Sequence, residues 1–465
     1  TSVTFVGEGS RRFNETGDGS TEVYTDQWTS MYRCAAEIAG EAHTFFGLQS
    51  LAQTDAAVIT VQAPGQEGSD RTGLSLPDDQ LELLQQTITE AKRLHKHVVV
   101  VLNVAGPVDV TAFASDVDAI LCVFFPGMEG GRAAAEILYG LVNPSGKLPL
   151  TFPAAYRDCP SFGNFPGSAG EVFYGEGIYV GYRYYEKRQI KPAYAFGYGL
   201  SYSTFTYSAI TATATGVDFV VTNDSDIAGS TVAQLYVRAP QGGVLHPDRE
   251  LKGFAKIELA AHESKSVHID FDRYTFRHFD VAANAWKTES GEWTLMIGDN
   301  AEHLPLSIPH TVAGDCTPAE CAADPALGHY LTGQVKDVTD AEMAVLFGHE
   351  VLAPGKPTTF GVNDPIMSWV DSRGFAARTV ARTLTKREAK IRQKTGSPDL
   401  NTLFILNMPP RAMSKMTQGM VDSAMVDAIV KIANGHTFRG LGGVIAGFFR
   451  NQSANKHTAK ELNHD

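Results

Sequence analysis

The sequence predicts an α/β fold class: an α/β sandwich domain, then an immunoglobulin-like β-sandwich, then a mainly helical C-terminal region. Three observations carry this. Continuous apolar runs alternate with amphipathic helical patterns over residues 1–160. Short strands separated by turn residues fill 201–312. Helix caps and amphipathic helical spacing dominate 313–465.

The first strand is "AAVITV" (56–61). The helix that follows Pro77 places Leu81, Leu84, Ile88 and Ala91 on one face. Pro77 suits its first turn, where a missing N–H costs nothing. "HVVVVLN" (97–103) and "AILCVFF" (119–125) are further apolar strands. Strands apolar on both sides and alternating with helices imply a sheet covered on both faces. A turn at Pro126 and Gly127 leads into a helix over 130–139. Glu129 and Arg132 lie one turn apart, as a helix-start ion pair would. Residues 143–153 read as an irregular exit in which Lys147 is a fold feature.

Residues 161–200 form a Gly- and Tyr-rich connector, expected as long ordered loops whose aromatic rings pack together or stack on a sugar. Strands are predicted at 216–223, 231–240, 250–259, 265–272 and 291–299. Thr339 with Glu342 reads as a capping box. Helices are predicted over 378–394, which is basic, and 418–433; "GLGGVIAGFFR" (440–450) reads as apolar and flexible.

A chain of 465 residues exceeds one ordinary core, so two to four domains are expected. The net charge of −13 argues against nucleic acid as a partner, because phosphate contacts need clustered positive charge. No apolar run is long enough to span a membrane. The five cysteines form no framework; Cys316 and Cys321 could close a small loop, but isolated thiols are the expected state. Sequons at Asn14, Asn223 and Asn451 carry little weight. The chain opens at Thr1 with no signal-peptide pattern, which suggests a processed piece or a separate chain and slightly favours a cytoplasmic setting.

The loop "APGQEGSDR" (63–71) places Glu67, Asp70 and Arg71 among glycines between a strand and a helix. Turning the chain needs only Gly or Pro. The ionised groups therefore shape the loop through a salt bridge or do chemistry at its tip. Asp18 and Glu22 flank another Gly-rich turn and could approach a substrate. There is no HExxH motif and no GxSxG elbow, so no metal and no cofactor is expected.

Four stretches in order resemble the non-barrel half of glycoside hydrolase family 3, the β-glucosidase and β-xylosidase family. They are "QEGSDRTGLSLPDDQLELL" (66–84), "FFPGMEGGRAAAEILYGLVNPSGKLPLTFP" (124–153), "GEGIYVGYRYYE" (175–186) and "FGYGLSYSTFTYS" (196–208). "ELKGFAKIEL" and "GEWTLMIGD" resemble strands of the family's fibronectin type III-like domain. The resemblance covers residues 1–312 and implies hydrolysis of terminal β-D-glucosides with retention. It makes Glu67 the acid/base, with Asp70 and Arg71 supporting its loop. The family's aspartate nucleophile sits on a barrel, and no part of this chain reads as one. A barrel-bearing polypeptide or precursor fragment is therefore an expected partner, beside a β-glucoside or small oligosaccharide. The alternatives are a non-catalytic carbohydrate-binding or scaffold subunit, and a β-xylosidase or other β-glycosidase.

Overall fold

A computed structural model describes the chain except residues 66, 68–70, 72, 165–173, 321, 352–358, 396–398, 418–419 and 463–465. The chain divides into two compact units, 1–65 with 72–352, and 66–71 with 353–465.

The first unit begins with β1 (Val3–Val6), α1 (Met31–Ala39), β2 (Thr44–Phe46), β3 (Ala56–Ala63) and α2 (Asp78–Leu94). It continues through β4 (His97–Val104), β5 (Ala119–Cys122) and α3 (Gly130–Leu138). The strands form one parallel sheet in the order β2-β1-β3-β4-β5. The sheet is open, and there is no closed barrel among the described residues. Side chains alternate across a strand, so β3 sends Ala57, Ile59 and Val61 to one core with Leu84, Ile88 and Ala91 of α2. Val58 points the other way, into a core with Phe5, Met31, Cys34 and Ala134. Both faces are therefore covered, as the continuous apolar strands required.

Three local expectations are corrected. β5 ends at Cys122, short of the apolar run 119–125, because Phe124 takes a left-handed φ of 49° that turns the chain out of the sheet. Pro77 is the cap residue just outside α2, which starts at Asp78. Arg132 pairs across to Glu37 of α1 at 3.0 Å instead of with its helix neighbour Glu129. Arg132 itself is exposed, and the packing of α3 against α1 brings the Glu37 carboxylate within its reach.

The connector contains a helix, α4 (Tyr182–Arg188). Its aromatic rings are core: Tyr179, Tyr184 and Tyr185 are buried with Leu327, Tyr330 and Met343. Leu327, Tyr330 and Met343 belong to the segment carrying α5 (Gly328–Thr332) and α6 (Asp340–Phe347), which is part of the first unit.

The β-sandwich follows the connector. A three-stranded sheet, β10 (Ser264–Asp270), β7 (Gly216–Asn223) and β6 (Phe205–Ala212), faces a four-stranded one. The second sheet is β14 (Leu306–Val312), β13 (Gly291–Gly298), β8 (Gly229–Arg238) and β9 (Glu250–Leu259). All pairings are antiparallel. Period-two alternation puts Val217, Phe219 and Val221 against Leu235, Val237, Trp293 and Leu295. A separate hairpin pairs β11 (Arg277–Asp280) with β12 (Ala285–Thr288). The outer face of β8 and β13 is covered too: Tyr236 and Met296 pack with Tyr182 and Phe196 of the connector. Asn223 is fully buried and donates to the Ile227 and Ala260 carbonyls, so its sequon is structural. Cys34, Cys122 and Cys159 are free thiols, but Cys316 is disulfide-bonded, which corrects the isolated-thiol expectation there. Cys321 lies outside the described residues.

The second unit contains α7 (Phe375–Thr395), α8 (Leu400–Asn407), α9 (Pro410–Met416), α10 (Ser423–Ala433) and α11 (Thr437–Leu462). Its core holds Phe360, Ile366, Trp369, Ala377, Ala381 and Ala433. The run 440–450, expected to be flexible, lies inside α11. Its glycines let two helix backbones approach: a Cβ on Gly440 would stand 2.6 Å from the Ala428 carbonyl oxygen, and one on Gly447 2.3 Å from Met425. No helix among the described residues is long and apolar enough to cross a membrane.

Two predictions follow from this packing. Gly440→Val should destabilise the α10–α11 pair by about 1–3 kcal/mol through overpacking. Gly442→Ala, whose Cβ meets nothing within 4 Å, should stabilise it by roughly 0.5–1 kcal/mol. Thermal unfolding of the two variants checks the opposite signs; two losses of equal size would refute the close approach.

The Thr339–Glu342 capping box is present, with the Glu342 carboxylate also held by the His329 ring and backbone N–H, each at 2.7 Å. Burial works against its ionised form, but these hydrogen bonds and those from Thr339 outweigh it and bring its pKa from 4.5 to about 2. The stabilisation is therefore complete above about pH 4.5 and lost as the pH falls toward 2. In urea unfolding, the gap between the native chain and Glu342→Gln should narrow over that window. A gap independent of pH would contradict the assignment.

Candidate active site

The strand order reverses at β1: β2 lies on one side of it and β3 on the other. The helix after β1 packs on one face of the sheet and the helix after β3 on the opposite face. The connections leaving the carboxyl ends of β1 and β3 therefore diverge. In open parallel sheets such a point makes a crevice where ligands bind. The loop containing Glu67 is the connection that leaves β3.

One buried amide ties this edge together. Asn103, on β4, is fully buried. Its Oδ1 accepts from the Asn14 N–H at 2.6 Å and from Gln62 Nε2 at 2.8 Å. Its Nδ2 donates to the carbonyls of Asn14 at 3.1 Å and Phe124 at 2.6 Å. Both amide hydrogens and both acceptor directions are thus used. Gln62 is the register partner of Asn103 on β3, and its backbone N–H donates to Gln80 of α2. The segments after β1 and β5, the ends of β3 and β4, and α2 meet through these two residues.

The start of the loop that contains Glu67 is fixed separately. The Gly65 carbonyl accepts from the Asp18 N–H at 3.0 Å. A Cβ on Gly65 would stand 2.3 Å from Ala105 Cβ and 3.3 Å from the Phe125 ring, so only glycine fits. Two residues further on, Glu67 is exposed. Arg71 is half-buried, and desolvation pulls its guanidinium below the usual arginine range. Asp70 lies outside the described residues, and with it the Asp70–Arg71 bridge expected from the sequence.

The structure brings Asp18 to the loop through its backbone and leaves Glu22 exposed, accepting from the Tyr24 hydroxyl. Lys147 donates to the Gly199 carbonyl at 2.7 Å, in keeping with a role in the fold. Sequence reading missed Asn103 and Gln62. The available signal was a polar residue near the end of each apolar strand, in "TVQA" and "VLNV". It also missed Trp28, exposed beside the same edge with the Arg12 guanidinium 4.9 Å above its ring.

Residues 1–202 match the model of the glycosyl hydrolase family 3 C-terminal domain, and residues 231–301 that of a fibronectin type III-like domain. The chain is 38% identical to an exo-α-(1→6)-L-arabinopyranosidase of Bifidobacterium breve, over 55% of this chain and 34% of that protein. It is 36% identical to thermostable β-glucosidase B of Acetivibrio thermocellus, over 56% of this chain and 35% of that protein. The β-glucosidase 3B structure from Thermotoga neapolitana in complex with glucose superposes with a TM-score of 0.62 at 31% identity. That match covers 67% of this chain and 50% of the other. The chain thus spans about a third of the length of the curated relatives it matches.

Asn103→Ala removes four hydrogen bonds and strands buried partners, so it should cost about 3 kcal/mol of stability in urea unfolding. A loss below about 1 kcal/mol would show that water replaces the amide and that the edge does not depend on it.

Proposed function

From the glycoside hydrolase family 3 architecture that this chain carries, a family C-terminal domain followed by a fibronectin type III-like domain, we propose that it serves in the hydrolysis of β-glycosides, with Glu67 as the acid/base. The observation that carries the proposal is the position of Glu67. It is an exposed carboxylate two residues beyond Gly65, on the connection that leaves β3 at the reversal of strand order. A carboxyl in such a loop can donate a proton to the departing glycosidic oxygen. Its anion then takes a proton from the water that releases the sugar. Retention needs a second carboxylate about 5–5.5 Å away as nucleophile. That group is proposed to be an aspartate on a barrel carried by another polypeptide. Arg71 is proposed as a positioning residue for the loop. Terminal β-D-glucosides are the leading substrates, and β-xylosides or other β-glycosides are distinguished by a substrate panel.

A second reading rests on the open sheet and the lack of a closed barrel among the described residues. It makes the chain a carbohydrate-binding or scaffold subunit, for which Glu67 is dispensable.

Native mass spectrometry of the isolated particle should find a second polypeptide of barrel size beside this 50.2 kDa chain. In that particle Glu67→Gln should lower kcat/KM on a disaccharide by about 10²–10⁴-fold. An aryl glucoside with an activated leaving group, which needs no proton, should lose far less in the glycosylation step. Equal losses on both substrates would remove Glu67 from the acid/base role. A particle of this chain alone, inert but sugar-binding, would favour the second reading.

A further inference from the structure

The β-sandwich gathers three metal-ligand side chains from separate segments. His246 lies in the connection between β8 and β9, His278 on β11, and Glu289 just beyond β12. One ligating atom from each lies within 4.8 Å of the others. His246 Nε2 is 3.2 Å from Glu289 Oε2. Glu289 is fully buried, yet its Oε1 has no hydrogen-bond partner among the described residues, and the same holds for His278 Nδ1. The carboxylate fills the space over Gly243, where a Cβ would stand 1.4 Å from Oε1. Its backbone carbonyl is held by Trp293 Nε1 at 3.0 Å, and the Trp293 ring also walls His246 at 5.9 Å.

A buried carboxylate with one oxygen unsatisfied is costly, and such a group in a folded protein calls for a specific compensating partner. A hydrogen bond to His246 serves only one oxygen. The other oxygen and an unused imidazole nitrogen remain in the same small, aromatic-walled space. Two imidazole nitrogens with one carboxylate oxygen suit zinc and similar late first-row ions. Calcium and magnesium prefer all-oxygen shells.

We propose that His246, His278 and Glu289 form a zinc site that locks the β11–β12 hairpin onto the β8–β9 connection. Among the described residues its strands pair only with each other, in a sheet of two four-residue strands, and the end of β12 is tied elsewhere only where the Thr288 backbone meets Asp315 and Cys316. A two-stranded hairpin alone is marginal in water, so a cross-link to the body of the sandwich holds it in place. Water completes the tetrahedron.

The test uses the full chain, stripped with a chelator and titrated with Zn²⁺ by calorimetry, with Co²⁺ as the spectroscopic probe. One equivalent of Zn²⁺ should bind, raise Tm and slow amide exchange across 277–288. Co²⁺ should give the visible absorption of a tetrahedral site. His278→Ala, His246→Ala and Glu289→Gln should each weaken binding by at least about tenfold. Far-UV circular dichroism reports whether each variant folds. If one does not, the Co²⁺ spectrum and hairpin exchange of the native chain decide. Substoichiometric binding, or one equivalent bound with no change in hairpin exchange, overturns the site. So does affinity unaltered in folded variants, which would place the ion on other histidines.

Discussion

Everything at the carboxyl edge of the parallel sheet depends on satisfying the polar groups where β3, β4 and β5 end. β3 and β4 are buried on both faces, and the backbone groups at the strand ends must find partners as the chain leaves the sheet. Asn103 solves this with one amide that serves the segment after β1, the end of β3 and the turn after β5. Gln62 extends the network to Arg12 and Gln80. The loop bearing Glu67 is held at its root, by the Asp18 N–H and by the close packing of Gly65 on Ala105 and Phe125.

The connector has a comparable role between the two halves of the first unit. Tyr182 stacks on Phe196 and meets Tyr236 edge-on, while its hydroxyl accepts from the Leu251 N–H. Arg183 pairs with Glu250 at 3.1 Å and Lys187 with Asp248 at 3.3 Å. The tyrosines of this segment therefore act as packing and hydrogen-bonding groups at once, which amphipathic aromatic side chains allow. The stacking role on a sugar suggested by composition is not available to Tyr179, Tyr184 or Tyr185, because all three are buried.

Much of the fold was legible in the sequence. The long apolar strands and the α2 pattern gave the α/β domain, and period-two alternation gave β7, β8 and β13. Short elements such as β1, β2 and β6 escaped, because three or four residues carry too little pattern and a half-exposed strand carries a weak one. The glycine run 440–450 was misread because local helix propensity argues against it. A backbone-to-backbone contact with α10 reverses that penalty. At the candidate site the motif around Glu67 singled out its loop, whereas Asn103 and Gln62 looked like strand ends.

By itself the sequence determined the order of structural classes, the covered sheet, the sandwich alternation, the Thr339–Glu342 cap and the charged loop after β3. These follow from side-chain periodicity and from contacts between near neighbours in the chain. Only the tertiary structure decided that Arg132 meets Glu37 and that Asn103 joins residues 14, 62 and 124. It also decided that His246, His278 and Glu289 share one buried space. Such pairings depend on where distant segments are brought by the packing of apolar faces. No local pattern encodes that, because each partner is an ordinary polar residue until the fold removes it from water.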